Sequence, residues 1–399
     1  MRKLVSKPSV FAASIWGSLG AYLSVRSSFG MGVRLISFNP IRLLAAFAGI
    51  AVAVTVMFVE LGLLTGLLNS QALMASVIRG ELVVMSEART HLHKWDNMNP
   101  IRINQITAVE GVEEIIPVYQ RNMGLRDPDT NAVRRILALA FPPEDLPIAI
   151  GDPEVIIQAL TTPNTILFDR RSRPIYAEMV IGEEAEINDQ PYRVGGFVDL
   201  GPDIIHDGIV VMSDASLFGH DPNVRPIMGV IRISEGAVLE DVRGNIVTSL
   251  PDDISIFTPD ELHRREIEFT LGSAPIGFLF GIGMLAGLVI GSITCYQILF
   301  NEIVDRLRQY ATLKAMGFSE MFLRGVIVEQ ALLLAVGGFA GGLVFAWVSY
   351  AYIANRTALA VKISAGSITF IFVLAAGMCI AAGLLALRRV SAADPAELY

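Results

Sequence analysis

The chain has 399 residues, of which 53% are hydrophobic and only 18% charged, with a formal net charge of −8. Soluble globular domains carry about 25% charged residues and nucleic-acid binders present basic surfaces. The composition therefore excludes a disordered protein, disfavours a nucleic-acid binder and fits an ordinary soluble globule poorly; the class it points to is an integral membrane protein. The only two cysteines, Cys295 and Cys379, lie inside apolar runs, which leaves no disulfide framework and no zinc-ligand spacing.

Residues 1–42 contain Arg2, Lys3, Lys7, Arg26, Arg34 and Arg42 and no acid. A secretory signal would place its apolar stretch close behind the first basic residues, whereas here the long apolar run begins only after forty residues. Residues 10–35 read as a helix lying along the cytoplasmic membrane surface, with Trp16, Leu19, Tyr22 and Leu23 apolar and Arg26 and Arg34 reaching the headgroups. The alternative is an irregular cytoplasmic tail, because Gly17, Gly20, Gly30 and Gly32 weaken a helix.

A bilayer core about 30 Å thick requires about 20 apolar helical residues. Four stretches qualify, and the expected spans are 41–68, 269–300, 322–352 and 363–387. Each is rich in small residues, such as Gly281, Gly283, Gly287 and Gly291 in the second and Gly337, Gly338, Gly341 and Gly342 in the third, which let helices approach closely. Two acids lie within the spans, Glu60 and Glu329, and intramembrane acids are functional candidates by default. Glu60 sits near the outer boundary, so contact with headgroups or water is an alternative role for it.

Short-loop Lys and Arg residues set orientation. Residues 1–42, the loop with Arg306, Arg308 and Lys314, and the end with Arg388 and Arg389 all fall on one side, which is expected to be cytoplasmic, with both termini. Residues 69–272 hold 17 basic and 32 acidic residues, a net of −15, while the remainder carries +7. That contrast marks a large extracytoplasmic, periplasmic domain, spanning about 69–268, inserted between spans one and two.

The insertion reads as mixed α and β. Strands are expected at 81–86, 114–119 (with Pro117 inside), 135–141, 227–234 and 253–257, helices at 104–109 and 238–250, and a turn at 127–131. Two strand–helix–strand units thus flank a Pro-, Gly- and Asp-rich middle section. The simplest assembly is one α/β subdomain from the flanks, with about 142–225 inserted as a second, more β-rich one. Helical continuity from span one through residue 78, and from 261 into span two, is expected to couple the membrane to the outer domain.

No catalytic constellation stands out: neither G-x-S-x-G nor H-E-x-x-H occurs. His91 and His93 lack further ligands, and His206, His220 and His263 read as solvated. Asp169 among Arg170, Arg171 and Arg173 reads as turn and salt-bridge chemistry.

Residues 301–334 are the informative segment. Span two is expected to end at Phe300, followed by an amphipathic helix with Ile303, Leu307, Tyr310 and Leu313 along one face. Gly317 falls at a C-cap position, and Ser319 opens the next helix. A short charged helix between two spans suits docking of a cytoplasmic partner; the alternative is a connector that only caps the spans.

The order Leu313-Lys-Ala-Met-Gly-Phe318, Val328-Glu-Gln-Ala-Leu-Leu-Leu334, Gly337-Gly-Phe-Ala-Gly-Gly342 and the closing Asp394-Pro-Ala-Glu397 resembles the FtsX/MacB-type (type VII) ABC transporter permeases. Arg42 to Ile50, Gly80 to Val84, the 165–174 segment and Tyr310 to Gly317 are similar to the cyanobacterial DevC subgroup, while Gln309 stands where the wider family often has Glu. The resemblance implies a four-span permease with a large α/β extracytoplasmic domain between helices 1 and 2, working as a homodimer. It also implies a separate DevA/LolD-like ATPase, a DevB-like membrane-fusion adaptor, a TolC-like outer-membrane duct, and export of a lipid-like or other amphipathic cargo. Residues that would couple to the ATPase are Glu302, Asp305, Arg306, Gln309, Tyr310, Leu313, Lys314 and Gly317, and Glu329 matches the family's acid, with Arg306 or Arg324 as its expected contact. No cofactor is expected on this chain, because no G-x-x-x-x-G-K-[ST] occurs and no Lys precedes Ser or Thr. ATP and Mg would belong to the partner. Alternatives are an FtsX-like mechanotransmitter controlling a cell-envelope hydrolase and a lipoprotein-releasing permease.

Overall fold

The computed structural model describes residues 40–391 except 93, 95, 203, 204, 274, 358 and 360. The expected surface helix at 10–35, His93 and the closing 394–397 motif lie outside the described residues. Two compact units emerge. Of the described residues, one takes in 40–62, 278–351 and 362–391; the other takes in 63–277 and 352–361.

The helical unit is built on the first part of α1 (Pro40–Gln71), which passes into the α/β unit after residue 62; there α2 (Leu73–Ser76) follows a one-residue interruption at Ala72. Among the described residues four helices are long and apolar enough to cross a membrane, α1 being the first. Its small and branched residues Ile50, Ala53, Val54 and Met57 are fully buried. The partner helix is close enough that a Cβ on Gly342 would lie 2.5 Å from Val54 Cγ1, so the glycine is what permits this crossing. The four helices together have the apolar length expected of spans one to four.

The α/β unit contains two β arrangements joined by one strand. β1 (Leu82–Ser86), α3 (Ile101–Thr107) and β2 (Val112–Arg126) form one strand–helix–strand unit. After β3 (Val133–Phe141), α4 (Pro153–Leu160), β4 (Thr165–Asp169), β5 (Glu184–Ile187), β6 (Gln190–Val198), β7 (Ile209–Ser213) and α5 (Asp214–His220), a second unit follows. It comprises β8 (Met228–Ile233), α6 (Leu239–Ser249) and β9 (Ile254–Phe257). The order β9-β1-β8-β2 is antiparallel throughout, the arrangement of a ferredoxin-like split βαβ sheet. Ile106, Val242 and Ile246 pack on one face of that sheet against Leu82, Val84 and Ile231. Ala75 and Leu262 cover the other, against Val83, Met85 and Val230.

β2 is fifteen residues long, and its second half leaves this sheet. There it pairs with both β3 and β5, and the pairings β2-β3-β7-β4-β6-β5-β2 close into a six-stranded ring. Period-two alternation explains the ring: Ile136, Ala138 and Ala140 of β3 enter one core with Val210 and Met212, while Leu137, Leu139 and Phe141 enter another with Ile156 and Leu160 of α4. The inserted part therefore begins near Tyr119 rather than near residue 142, because β3 and half of β2 belong to the ring. The turn between those strands is an Asx turn, with Asp127 Oδ1 accepting the amides of Asp129 and Thr130 at 3.0 Å.

Helix starts are set by local chemistry. Thr258 and Glu261 make a reciprocal capping box at the start of α7 (Pro259–Ser273): the Glu261 amide donates to Thr258 Oγ1 at 3.2 Å, and the Thr258 amide to Glu261 Oε2 at 2.9 Å. Helical continuity into span two, expected from the charge-free run, is interrupted. α7 ends at Ser273 and α8 (Ile276–Asp305) begins after Pro275, whose missing N–H and ring disfavour an unbroken helix.

Candidate coupling site

α8 does not stop at Phe300. It runs to Asp305, since nothing between 300 and 305 breaks a helix, so Glu302 and Asp305 belong to the span-two helix and not to the loop. Arg306 is the turn residue, and α9 (Leu307–Ala315) is the short helix that follows. Ile303 and Tyr310 are buried and Leu307 and Leu313 half-buried, so the apolar face read from their spacing is the packed one. Gln309 is exposed, and the side chain of Lys314 lies outside the described residues.

Ion pairs hold this corner. Arg306 pairs with Glu302 one helical turn back, and Arg42 at the start of α1 pairs with Asp305 at the end of α8. The first is largely shielded and rigidifies the bend; the second is exposed and screened by salt. Burial pushes the Tyr310 hydroxyl up to about 12, against the opposing effect of the Gln330 side chain. Gly317 adopts φ +93°, the left-handed conformation that ends α9, and the Ser319 Oγ accepts the Phe322 amide at 3.2 Å to open α10 (Glu320–Thr357). A tight helix–turn–helix corner results, with an outward surface formed by Arg308, Gln309, Ala311, Thr312 and Met316.

Glu329 lies half-buried in the third turn of α10; Arg324 pairs with Glu320 at 3.8 Å. Gln330, beside it, is completely buried, and a search for charges alone passes over it. Glu60 faces α8: its carboxylate fills the space a Cβ on Gly283 would need. Contact with a neighbouring span is thus the role the structure gives it.

Other singled-out residues make structural contacts. His91 stacks on Phe269 at 4.2 Å, His220 on Tyr192 at 5.4 Å, and His263 Nδ1 is 3.3 Å from the Ala72 carbonyl. Asp169 accepts the amides of Arg171, Leu200 and Gly201, and Arg173 pairs with Asp207, in keeping with turn chemistry.

Residues 275–395, which take in α8 to α10 and α11 (Ala365–Ser391), match the FtsX-like permease C-terminal family. A curated relative, an uncharacterized ABC transporter permease of Methanocaldococcus jannaschii, is 26% identical over 184 residues, 44% of this chain and 43% of that protein. The macrolide export ATP-binding/permease protein MacB of Vibrio parahaemolyticus is 24% identical over 244 residues, 58% of this chain and 37% of that protein. The matches thus span less than half the length of these relatives. Among solved structures, the periplasmic region of MacB from Actinobacillus actinomycetemcomitans aligns with 47% of this chain and 92% of its own, at 11% identity and a TM-score of 0.35. The extracellular domain of the noncanonic ABC-type transporter YknZ from Gram-positive bacteria aligns with 45% and 98%, at 11% identity and 0.32. The bend between α8 and α10 falls inside the matched segment, and with its four apolar helices the chain is a multi-pass membrane protein carrying an FtsX-like permease domain, similar to MacB and to ABC transporter permeases.

Proposed function

We propose that this chain is the permease subunit of an ABC exporter, resident in the bacterial inner membrane with both termini in the cytoplasm. The observation that carries the reading is the family match over 275–395, because the α8–α9–α10 corner lies within the matched segment. An ATPase of the DevA/LolD kind, holding ATP and Mg, docks at that corner. The Vibrio relative is named as an ATP-binding and permease protein, whereas the 399 residues here contain no P-loop.

Docking at Gln309, Lys314 and the surface around α9 converts nucleotide-driven closure of two ATPase subunits into movement of α8 and α10. The movement passes into the α/β unit through the peptide segments that join the two units, chiefly α1, which runs unbroken to Gln71. The spans are apolar and glycine-rich apart from Glu60 and Glu329, which suits force transmission better than passage of a polar solute. Cargo, a lipid or other amphiphile, is moved on the outer side by a homodimer, with a DevB-like adaptor and a TolC-like duct completing the route.

The test is co-purification of the chain with a candidate P-loop ATPase, followed by hydrolysis assays in lipid. Recruitment and hydrolysis that depend on residues 306–317 are the expected result. Nucleotide hydrolysis by the purified chain alone, or undiminished recruitment after replacing α9 with an unrelated helix, would overturn the reading.

A further inference from the structure

Two cavities lie within the α/β unit, and Gln120 and Ile227 line both. One is walled chiefly by apolar side chains, among them Met74, Leu137, Leu139 and Ile209. The other is lined by Arg89, Lys94, Arg135 and His206 together with the amides of Asn97 and Asn122. No carboxylate lines it among the described residues, although residues 69–272 carry a net charge of −15. A concentration of cations against the charge of the surrounding domain focuses a positive potential on the cavity.

Arg89 is the built part of this site. It is 2% exposed, and its two terminal nitrogens donate to the carbonyls of Leu92 and Asp96. Among the described residues its Nε has no hydrogen-bonding partner, nor has Oδ1 of Asn122. A buried guanidinium N–H without an acceptor is costly, and guanidinium N–H groups pair well with carboxylate or phosphate oxygens. Two carboxylates lie nearby, and neither lines the cavity. Asp96 pairs with Lys94 at 2.9 Å, and Glu266, 1% exposed, accepts the Leu92 amide at 2.9 Å.

We propose that the basic cavity binds a compact oxyanion, a phosphate or carboxylate group, and that the adjoining apolar cavity takes hydrocarbon attached to it. The β2 residues Gln120 and Asn122 stand where that strand enters the ring, so such a ligand would bridge the four-stranded sheet and the ring. The inference concerns binding alone and does not require that the ligand be transported.

The test is calorimetric titration of the full chain, purified in a non-ionic maltoside detergent, with inorganic phosphate, hexyl phosphate and hexanol. Saturable binding of the two phosphates and not of hexanol is expected. Hexyl phosphate should bind at least tenfold more tightly than inorganic phosphate; equal affinities would overturn the hydrocarbon half and assign the site to a free anion. Arg135→Gln and Lys94→Gln, at exposed and half-exposed positions, should each weaken phosphate binding about fivefold or more without altering thermal unfolding. Arg89→Gln should abolish binding if circular dichroism shows it folded. Absence of saturable binding by either phosphate, or affinities untouched by Arg135→Gln and Lys94→Gln, would overturn the proposal.

Discussion

The carboxylate of Glu60 on α1 and the bare backbone of Gly283 on α8 occupy complementary space, the acid lying where any side chain at 283 would stand. An ionisable group inside a span is costly unless it meets a polar partner, and here it reaches the neighbouring helix backbone only because residue 283 has no Cβ.

Gly283→Ala should therefore destabilise the chain by about 1–3 kcal/mol, the usual range for overpacking. Glu60→Ala in the same chain should return most of that loss, since it removes the colliding group. Thermal unfolding in detergent of both single variants and the double variant gives the interaction directly. Strict additivity of the two changes would show that the residues do not meet.

Gly317 closes α9 with φ +93°. A β-branched residue there is strained, whereas Asn tolerates the left-handed region. Gly317→Val should lower partner-stimulated hydrolysis several-fold and cost about 1–2 kcal/mol of stability, with Gly317→Asn close to the parent in both. Equal behaviour of Val and Asn would remove the backbone argument.

How much of this was legible in the sequence depended on the range of the forces involved. β1, β8 and the helix at 239–249 could be read because their periodicity is local, and so could the Gly317 cap and the face of Ile303 and Tyr310. Closure of the ring could not, because β3 meets β7 and β2 meets β5 across 60 residues or more, with no short-range signal. The break at Pro275 was written in the chain but masked by the absence of charge from 269 to 301. Gln330 escaped for a similar reason: it is neutral, and only the packing of α10 makes its complete burial evident.

Glu266 titrates abnormally. Burial drives its pKa up to about 7, outweighing the Leu92 amide and the nearby Arg265 and Arg89. An unfolded Glu ionises near 4.3. As pH rises from about 4 the unfolded chain loses its proton first, so Glu266 stabilises the fold fully below that value and the contribution disappears as pH passes about 7. Glu266→Gln lacks this titration. The stability of the parent relative to the variant should fall by up to about 3 kcal/mol between pH 4.5 and 8. His91, held low by burial and by Arg89, Lys94 and Arg265, is present in both proteins and cancels in the comparison. A pH-independent difference would place Glu266 in ordinary solvent.

α8 differs from the other spans in how little of it is covered. Only 11% of its apolar window is buried, against 33–39% for the other three, so a homodimer would have most of one helix available to it. Ile282, Leu285, Val289 and Ile293 follow one another at helical spacing, and all are about half exposed or more. Cysteines placed singly at 282 or 289 should form disulfide-linked dimers in native membranes under mild oxidation, read as a doubled mass on a non-reducing gel. The native Cys295 and Cys379 are fully buried and supply little background. Phe345→Cys on α10, at a still more exposed position, is the control for random collision in the bilayer. Cross-linking at 282 and 289 several-fold above that at 345 is the outcome a dimer built on α8 requires, and equal yields at all three would assign this face to lipid.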